Sequence, residues 1–270
     1  MPGEHTMYDE KEDFLHHKSE IDAMVSVLDT VGVRLSRQMT VLDLGAGQGM
    51  HAGFLSALAG RVFCADLVDY SSLYNGEFLR LIDEKHQRNN VEFHRSRVAF
   101  HQTDAMDLIY RDSMFDCVVS VNSFEHIPDP GKALAEMIRV TKSGGYIYIS
   151  TDPIWTADTG SHFFHRVAEP WAHLFDDENV FAAKMLANGA PDNEVREFRG
   201  AMNRWRAKDY ARVIDRSVAD RQTKAIHRDS WSGVVDEAHR THGNLQRLLT
   251  RGFTEEELLI RGLRWVLRKC

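Results

Sequence analysis

The chain has 270 residues, 43% of them hydrophobic and 27% charged, with a formal net charge of −7. That size suits one large domain, or one domain with an elaboration. The acidic balance argues against a nucleic-acid partner, which needs clustered Lys and Arg. No apolar run reaches the ~20 residues of a bilayer span. The start, MPGEHTMYDEKEDF, is polar and acidic and lacks a secretion signal. A cytoplasmic protein with no membrane partner is therefore expected. Cys64, Cys117 and Cys270 are scattered without a CxxC pair, so neither a cysteine zinc site nor a disulfide framework is expected.

In chain order, apolar residues at Phe14, Ile21, Met24, Val25 and Leu28 predict a helix from about Glu10 to Val31. A polar turn leads into VLDL, a strand, followed by glycines at 45, 47 and 49. HAGFLSALAG predicts a helix stopped at Gly60, and RVFCADLV a second strand. A helix near Glu77 to His86 precedes RVAFHQTDA, a third strand ending at Asp104. FDCVVSVNS is a continuous apolar run, as in a parallel strand covered on both faces. DPGKALAEMIRVTKSGG predicts a helix capped by Asp129, with Pro130 at its first position and Gly144 and Gly145 at its end. YIYIST is a fifth strand.

Beyond it, residues 154–199 are rich in His, Phe and Trp without a regular period. Ala201 to Asp215 predicts a helix, RQTKAIHR a strand, SGVVDEAHRTHGNLQRLL a helix, and ELLIRGLRWVLRK a last, edge strand. The alternation predicts an α/β fold with a doubly wound, mostly parallel seven-stranded sheet and an inserted lid in the C-terminal half. The expected division of this single domain is a cofactor-binding core over 10–151, a lid over 152–218, and completion of the sheet over 219–270. In such sheets ligands sit beyond the carboxyl ends of the strands, where strand order reverses.

A glycine-rich turn after a buried strand serves either a dinucleotide or S-adenosylmethionine. Gly45, Gly47 and Gly49 give GxGxG, and Met50 stands where the dinucleotide fingerprint GxGxxG has its third glycine. Asp43 lies within the strand two residues before the first glycine. A cofactor with a cationic methionine tail and no pyrophosphate would use a carboxylate there.

VLDLGAGQG, Asp66 at the end of the second strand, TDA at 103–105, and FDCVVSVNSFEHIPDPGKALAEMIRVTKSGGYIYIST come in the order seen in class I S-adenosylmethionine-dependent methyltransferases, which the chain resembles over most of residues 40 to 151. The resemblance implies that the backbone of Gly45, Ala46, Gly47 and Gly49 approaches the methionine part and the ribose. Asp43 then lies near the cofactor's amino end. Asp66, with Asp69 as the competing acid, accepts both ribose hydroxyls beside Leu67. Asp104 accepts from the adenine amine, and the Ala105 N–H donates to a ring nitrogen. Asn122 and Ser123 hold the methionine end. The product would be S-adenosylhomocysteine.

The stretch TDPIWTADTGSHFFHRVAEPWAHLF carries the acceptor reading, with Trp155, Phe163, Phe164 and Trp171 as expected pocket walls. It also resembles a GH…PWxHL pattern in a bacterial branch acting on sugars, glycolipids or secondary metabolites, and NRWRAKDY resembles the helix that follows there. His162, His165 and His126 are the candidate catalytic bases. His162 and His165, with Asp152 and Glu169 nearby, lack HExxH context, so no metal is expected. His16 and His17 are read as solvated or as lining the N-terminal helix, which covers the cofactor in many relatives. The expected reaction is methylation of a small molecule, first at an oxygen of a sugar or secondary metabolite. N-methylation, or a cyclase or binding role on the same fold, is the alternative. A homodimer stays open.

Overall fold

Seven strands form one sheet in the order β3-β2-β1-β4-β5-β7-β6. They are β1 (Thr40–Leu44), β2 (Arg61–Asp66), β3 (Val98–Gln102), β4 (Phe115–Val121), β5 (Thr141–Thr151), β6 (Thr223–Ser232) and β7 (Ile260–Lys269) in a computed structural model that describes residues 10–70 and 77–270. Strands β1 to β5 pair in parallel, and β7 is antiparallel to both β5 and β6. Strand order reverses between β1 and β4, so a crevice opens at their carboxyl ends.

The helices are α1 (Glu10–Thr30), α2 (Met50–Leu58), α3 (Phe78–Arg88), α4 (Pro130–Val140), α5 (Ala172–Phe175), α6 (Glu178–Ala187), α7 (Asp192–Gly200), α8 (Ala207–Ala219), α9 (Gly243–Thr250) and α10 (Glu255–Leu259). Side chains alternate across a strand, and β1 shows what that does here. Val41 joins one buried layer with Met24, Leu28, Leu55 and Val119. Leu42 and Leu44 join the opposite layer with Leu134, Met137 and Ile214. Asp43 shares the parity of Val41, so its carboxylate is directed to the side covered by α1 and α2. Among the described residues no helix is long and apolar enough to cross a membrane.

Three sequence expectations are corrected. The last strand is not at the edge, because β7 lies between β5 and β6 and buries Leu263, Trp265, Val266 and Leu267. The edge on that side is β6, whose exposed Lys224 and Arg228 resist further pairing. Gly144 and Gly145 do not end α4. The helix stops at Val140, and the glycines lie inside β5, where its register with β4 shifts. There Gly144 takes a φ of 76°, and a Cβ on Gly145 would sit 2.9 Å from the Asp116 carbonyl oxygen. The helix expected over SGVVDEAHRTHGNLQRLL is broken into a 3-10 turn, Glu237–Thr241, and α9. The Asp236 side chain caps the first piece and His242 the second.

Between β5 and α8 the chain forms a layer of its own, with Phe163, Phe181, Met185 and Phe198 at its centre. Trp171 is fully buried against Leu245, Leu248 and Leu258, and its Nε1 donates to the Thr156 carbonyl at 3.2 Å. It therefore ties this layer to α9 and α10. Trp171→Ala is expected to lower unfolding free energy by about 3–5 kcal/mol, read as a fall in the urea midpoint. An unchanged midpoint would mean that the layer does not depend on this anchor.

Candidate active site

The turn after β1 places all its glycines at positive φ: 77° at Gly45, 52° at Gly47 and 75° at Gly49. They do different work. A Cβ on Gly45 would meet Ser123 at 2.4 Å, and one on Gly49 would meet the Phe100 ring at 2.5 Å. These two let the turn sit against the segment after β4 and against β3. A Cβ on Gly47 meets nothing within 4 Å, so this glycine faces open space. The open space is a cavity walled by Ala46, Gly47, Asp66, Val68, Tyr70 and Phe100.

Asp66 ends β2 at the mouth of that cavity. Its Oδ2 accepts the Gly47 N–H at 2.9 Å and its Oδ1 accepts the Val68 N–H at 2.9 Å. Two backbone amides thus fix the carboxylate and couple it to the glycine turn. Asp69 lines the same cavity. Leu67 and Val68 are 66% and 47% exposed, an apolar surface beside the acid. On the next loop, Asp104 accepts the Met106 N–H at 2.8 Å through Oδ1, and Ala105 is half-buried beside it.

Asp43 is buried, and its Oδ2 has no hydrogen-bond partner. Burial pushes its carboxyl up to about 6, against the opposing pull of His51. Asn122, at a φ of 47°, donates from Nδ2 to Glu20 Oε1 of α1 at 2.5 Å. Ser123 donates from Oγ to the Gly45 carbonyl at 2.9 Å. The N-terminal helix therefore closes over the β1–β4 crevice through Glu20.

Just after β4, Phe124–His126 forms a 3-10 turn. Asn203 holds it, donating from Nδ2 to the carbonyls of Phe124 at 2.9 Å and Ile127 at 3.0 Å, while its N–H donates to the Glu125 carbonyl at 3.0 Å. Glu125 is fully buried, and burial pushes its carboxyl up to about 8. His126 and His162 meet edge to face with ring centroids 4.8 Å apart. His162 Nε2 donates to the Pro153 carbonyl at 2.9 Å from a backbone φ of 64°. Burial lowers both imidazoles, His162 to about 3, so both are neutral near pH 7.

Sequence proximity misled elsewhere in this stretch. His165 does not join His162; its Nε2 lies 3.4 Å from Glu194 of α7, beside an Arg166–Glu194 pair with bonds of 2.7 and 2.8 Å. Phe163 and Trp171, expected as pocket walls, are buried in the packed layers of the insertion. Phe164 lies against His239, with ring centroids 5.5 Å apart. Trp155 remains half-buried, edge-on to His173 and with the Arg204 guanidinium 5.1 Å over its ring.

The sequence reading missed the groups that fix the floor of the insertion. Asp152 is held by Trp231 Nε1 at 2.9 Å and Arg261 Nε at 3.0 Å. Buried Asp158 accepts from the Val235 N–H at 2.8 Å and pairs with His239 Nδ1 at 2.7 Å. No local spacing announces these pairs, whose members lie far apart in the chain.

Residues 42–149, from β1 to β5, match the model of a family described as a methyltransferase domain. The chain is also 29% identical over 185 residues to a demethylmenaquinone methyltransferase of Clavibacter sepedonicus, covering 66% of this chain and 68% of that protein. Residues 42–149 are a methyltransferase domain, with the motif order of the class I S-adenosylmethionine-dependent enzymes.

The chain is 32% identical over 110 residues to methyltransferase GfsG of Streptomyces halstedii, covering 41% of this chain and 36% of that one. It is 33% identical over 125 residues to the ubiquinone/menaquinone biosynthesis C-methyltransferase UbiE of Klebsiella pneumoniae, covering 45% of each. The matches thus span less than half the length of the latter two relatives. Among solved structures, a candidate sarcosine dimethylglycine methyltransferase from Galdieria sulphuraria superposes with a TM-score of 0.54 at 16% identity, covering 93% of this chain and 85% of that one. A geranyl diphosphate methyltransferase bound to GPP and sinefungin gives 0.53 at 12% identity, covering 92% and 77%. At these identities the likeness is one of fold. The family match stops at the end of β5, so the layer that carries His162 and Trp155 lies outside it.

Proposed function

We propose that this methyltransferase methylates a small-molecule acceptor at an atom that must lose a proton, first an oxygen of a sugar or secondary metabolite. The observation that carries this reading is the His126–His162 pair: two neutral, largely buried imidazoles that meet just after the end of β4. A neutral imidazole can take a proton, which an oxygen nucleophile requires. The curated relatives include quinone C-methyltransferases, where the proton leaves carbon, so an acidic ring carbon is the second acceptor class, ahead of an amine.

S-adenosylmethionine, when bound, supplies a methyl group already activated on a sulfonium. The residues present fit it. Asp43 offers an unpartnered buried oxygen to a cationic amino group. Asp66, locked by two amides, presents its remaining lone pairs to ribose hydroxyls. Leu67 gives a flat ring an apolar face, and Asp104 with the Ala105 N–H reads its amine edge. Gly45, Ala46, Gly47 and Gly49 let the backbone come close, while Asn122 and Ser123 border the methionine end. His126 receives the acceptor's proton. His162 orients it, and Asn203 holds the turn that carries it.

The test is methyl transfer from labelled S-adenosylmethionine to hydroxyl, ring-carbon and amine acceptors. His126→Ala should cost about 100-fold or more in kcat, the usual contribution of a general base, while S-adenosylhomocysteine affinity holds. An undiminished kcat would remove the base role from His126. Transfer confined to amines would overturn the acceptor class.

A further inference from the structure

His17, Glu20 and His51 form a group that methyl transfer does not use, and their ligand-type atoms converge on one point. His17 and Glu20 stand three residues apart on α1, so they share a face of that helix. His51 comes from the first turn of α2, packed against it. Glu20 Oε2 lies 3.0 Å from His17 Nδ1 and 2.9 Å from His51 Nε2, and the two nitrogens are 3.3 Å apart. The Glu20 and His51 side chains are 12% and 10% exposed.

Hydrogen bonding accounts for this triangle incompletely. If both rings donate to Glu20, the two N–H groups face each other across the third edge. If one ring donates to the other, that proton is used and neither nitrogen has another for the carboxylate's two short contacts. A single cation satisfies all three edges at once. Ligands about 2.0–2.1 Å from a tetrahedral zinc stand about 3.3 Å apart; the nitrogen–nitrogen edge here is 3.3 Å, and the two edges to the carboxylate, 3.0 and 2.9 Å, are a few tenths shorter. The surroundings also suit a metal. His17 Nε2, the ring nitrogen facing away from the group, lies 3.5 Å from Asp13 Oδ1. A carboxylate behind a ligating histidine fixes its tautomer and raises its basicity. Asp13 is itself anchored by Lys85, and the second oxygen of Glu20 is engaged by Asn122 and approached by His16 at 3.3 Å. Among the described residues no fourth protein ligand joins the group, which leaves one position for water or an exogenous ligand.

We propose that His17, Glu20 and His51 bind a divalent cation of the zinc class, clamping α1 onto α2 beside the methionine end of the cofactor crevice. The two imidazoles and one carboxylate favour zinc or cobalt over magnesium or calcium, which prefer oxygen ligands. The site was invisible to the sequence reading, which looked for metal ligands at His162 and His165. Its residues are separate from those assigned to proton removal, so it stands or falls independently of the acceptor reading.

The test uses the full chain, stripped with chelator and then dialysed against a small excess of zinc or cobalt(II). One equivalent of bound metal is expected, and cobalt(II) should give the intense visible absorption of a four-coordinate site. His51→Ala and Glu20→Gln should each lose about 100-fold or more in zinc affinity. Asp13→Ala, which removes no ligand, should lose about 10–100-fold, and it keeps the test valid if a ligand variant fails to fold. Circular dichroism and a thermal melt report folding. Substoichiometric zinc in the intact chain, six-coordinate cobalt spectra, or zinc affinity unchanged in the folded His51→Ala variant would each overturn the site and leave the triangle as a hydrogen-bonded cluster.

Discussion

Asp66→Ala is expected to weaken S-adenosylhomocysteine binding by about 100-fold or more. The carboxylate holds the Gly47 and Val68 amides at 2.9 Å each and, in the proposed complex, accepts two ribose hydroxyls as well. Hydrogen bonds to a charged group contribute about 1.5–3 kcal/mol each, so losing the two ribose bonds alone costs about 3 kcal/mol, near 150-fold in affinity. Releasing Gly47 adds to the loss, because its amide would no longer be pinned in the shape that faces the cavity. Asp66→Asn retains acceptor capacity on one oxygen and should fall between alanine and wild type. The measurement is calorimetric titration, with a thermal melt to show that the fold survives. A tenfold effect or less in a folded Asp66→Ala variant would shift the ribose role to Asp69, which lines the same cavity.

The second large effect is on stability and comes from Glu125. Its carboxyl rises from 4.5 to about 8 because it is fully buried. With the folded value above the unfolded one, the folded state holds a proton that the unfolded state has released. The stability this group contributes is complete below about 4.5 and is lost as pH rises through about 8. At about 1.4 kcal/mol per unit, the loss between about pH 5.5 and 8 is roughly 3 kcal/mol. Glu125→Gln keeps the neutral shape and has no proton to lose. Relative to wild type, the variant should therefore gain about that much unfolding free energy across the interval, seen in urea titrations at both pH values. Asp43 adds a smaller loss of the same sign between about 3.8 and 6, which this variant leaves in place. Parallel wild-type and Glu125→Gln curves across that interval would mean that Glu125 is ionised in the folded protein.

The cofactor half of the chain was legible because its signals are local. Gly45, Gly47 and Gly49 are needed at positive φ, and a residue's neighbours in sequence decide that. The apolar runs of β1, β2 and β4 are buried whole, so period and length identify them. The insertion was not legible in the same way. His162 and His165 look alike in sequence, yet one meets His126 and the other faces Glu194, because a backbone turn at His162 separates them. Trp171 and Phe163 read as pocket walls but fill interior layers, since an aromatic side chain suits either place and only its partners decide. The clamp of Asn203 on the Phe124–His126 turn joins residues more than seventy positions apart. The position of β7 inside the sheet follows from its two-sided burial, which imperfect alternation concealed.

The most direct measurement is a calorimetric titration of the intact chain with S-adenosylhomocysteine, paired with the same titration using NAD. One-to-one binding of S-adenosylhomocysteine at micromolar strength, with no heat from NAD, is the expected result. Binding of NAD, or no binding of the adenosyl ligand, would contradict the assignment of the glycine turn and Asp66 to S-adenosylmethionine.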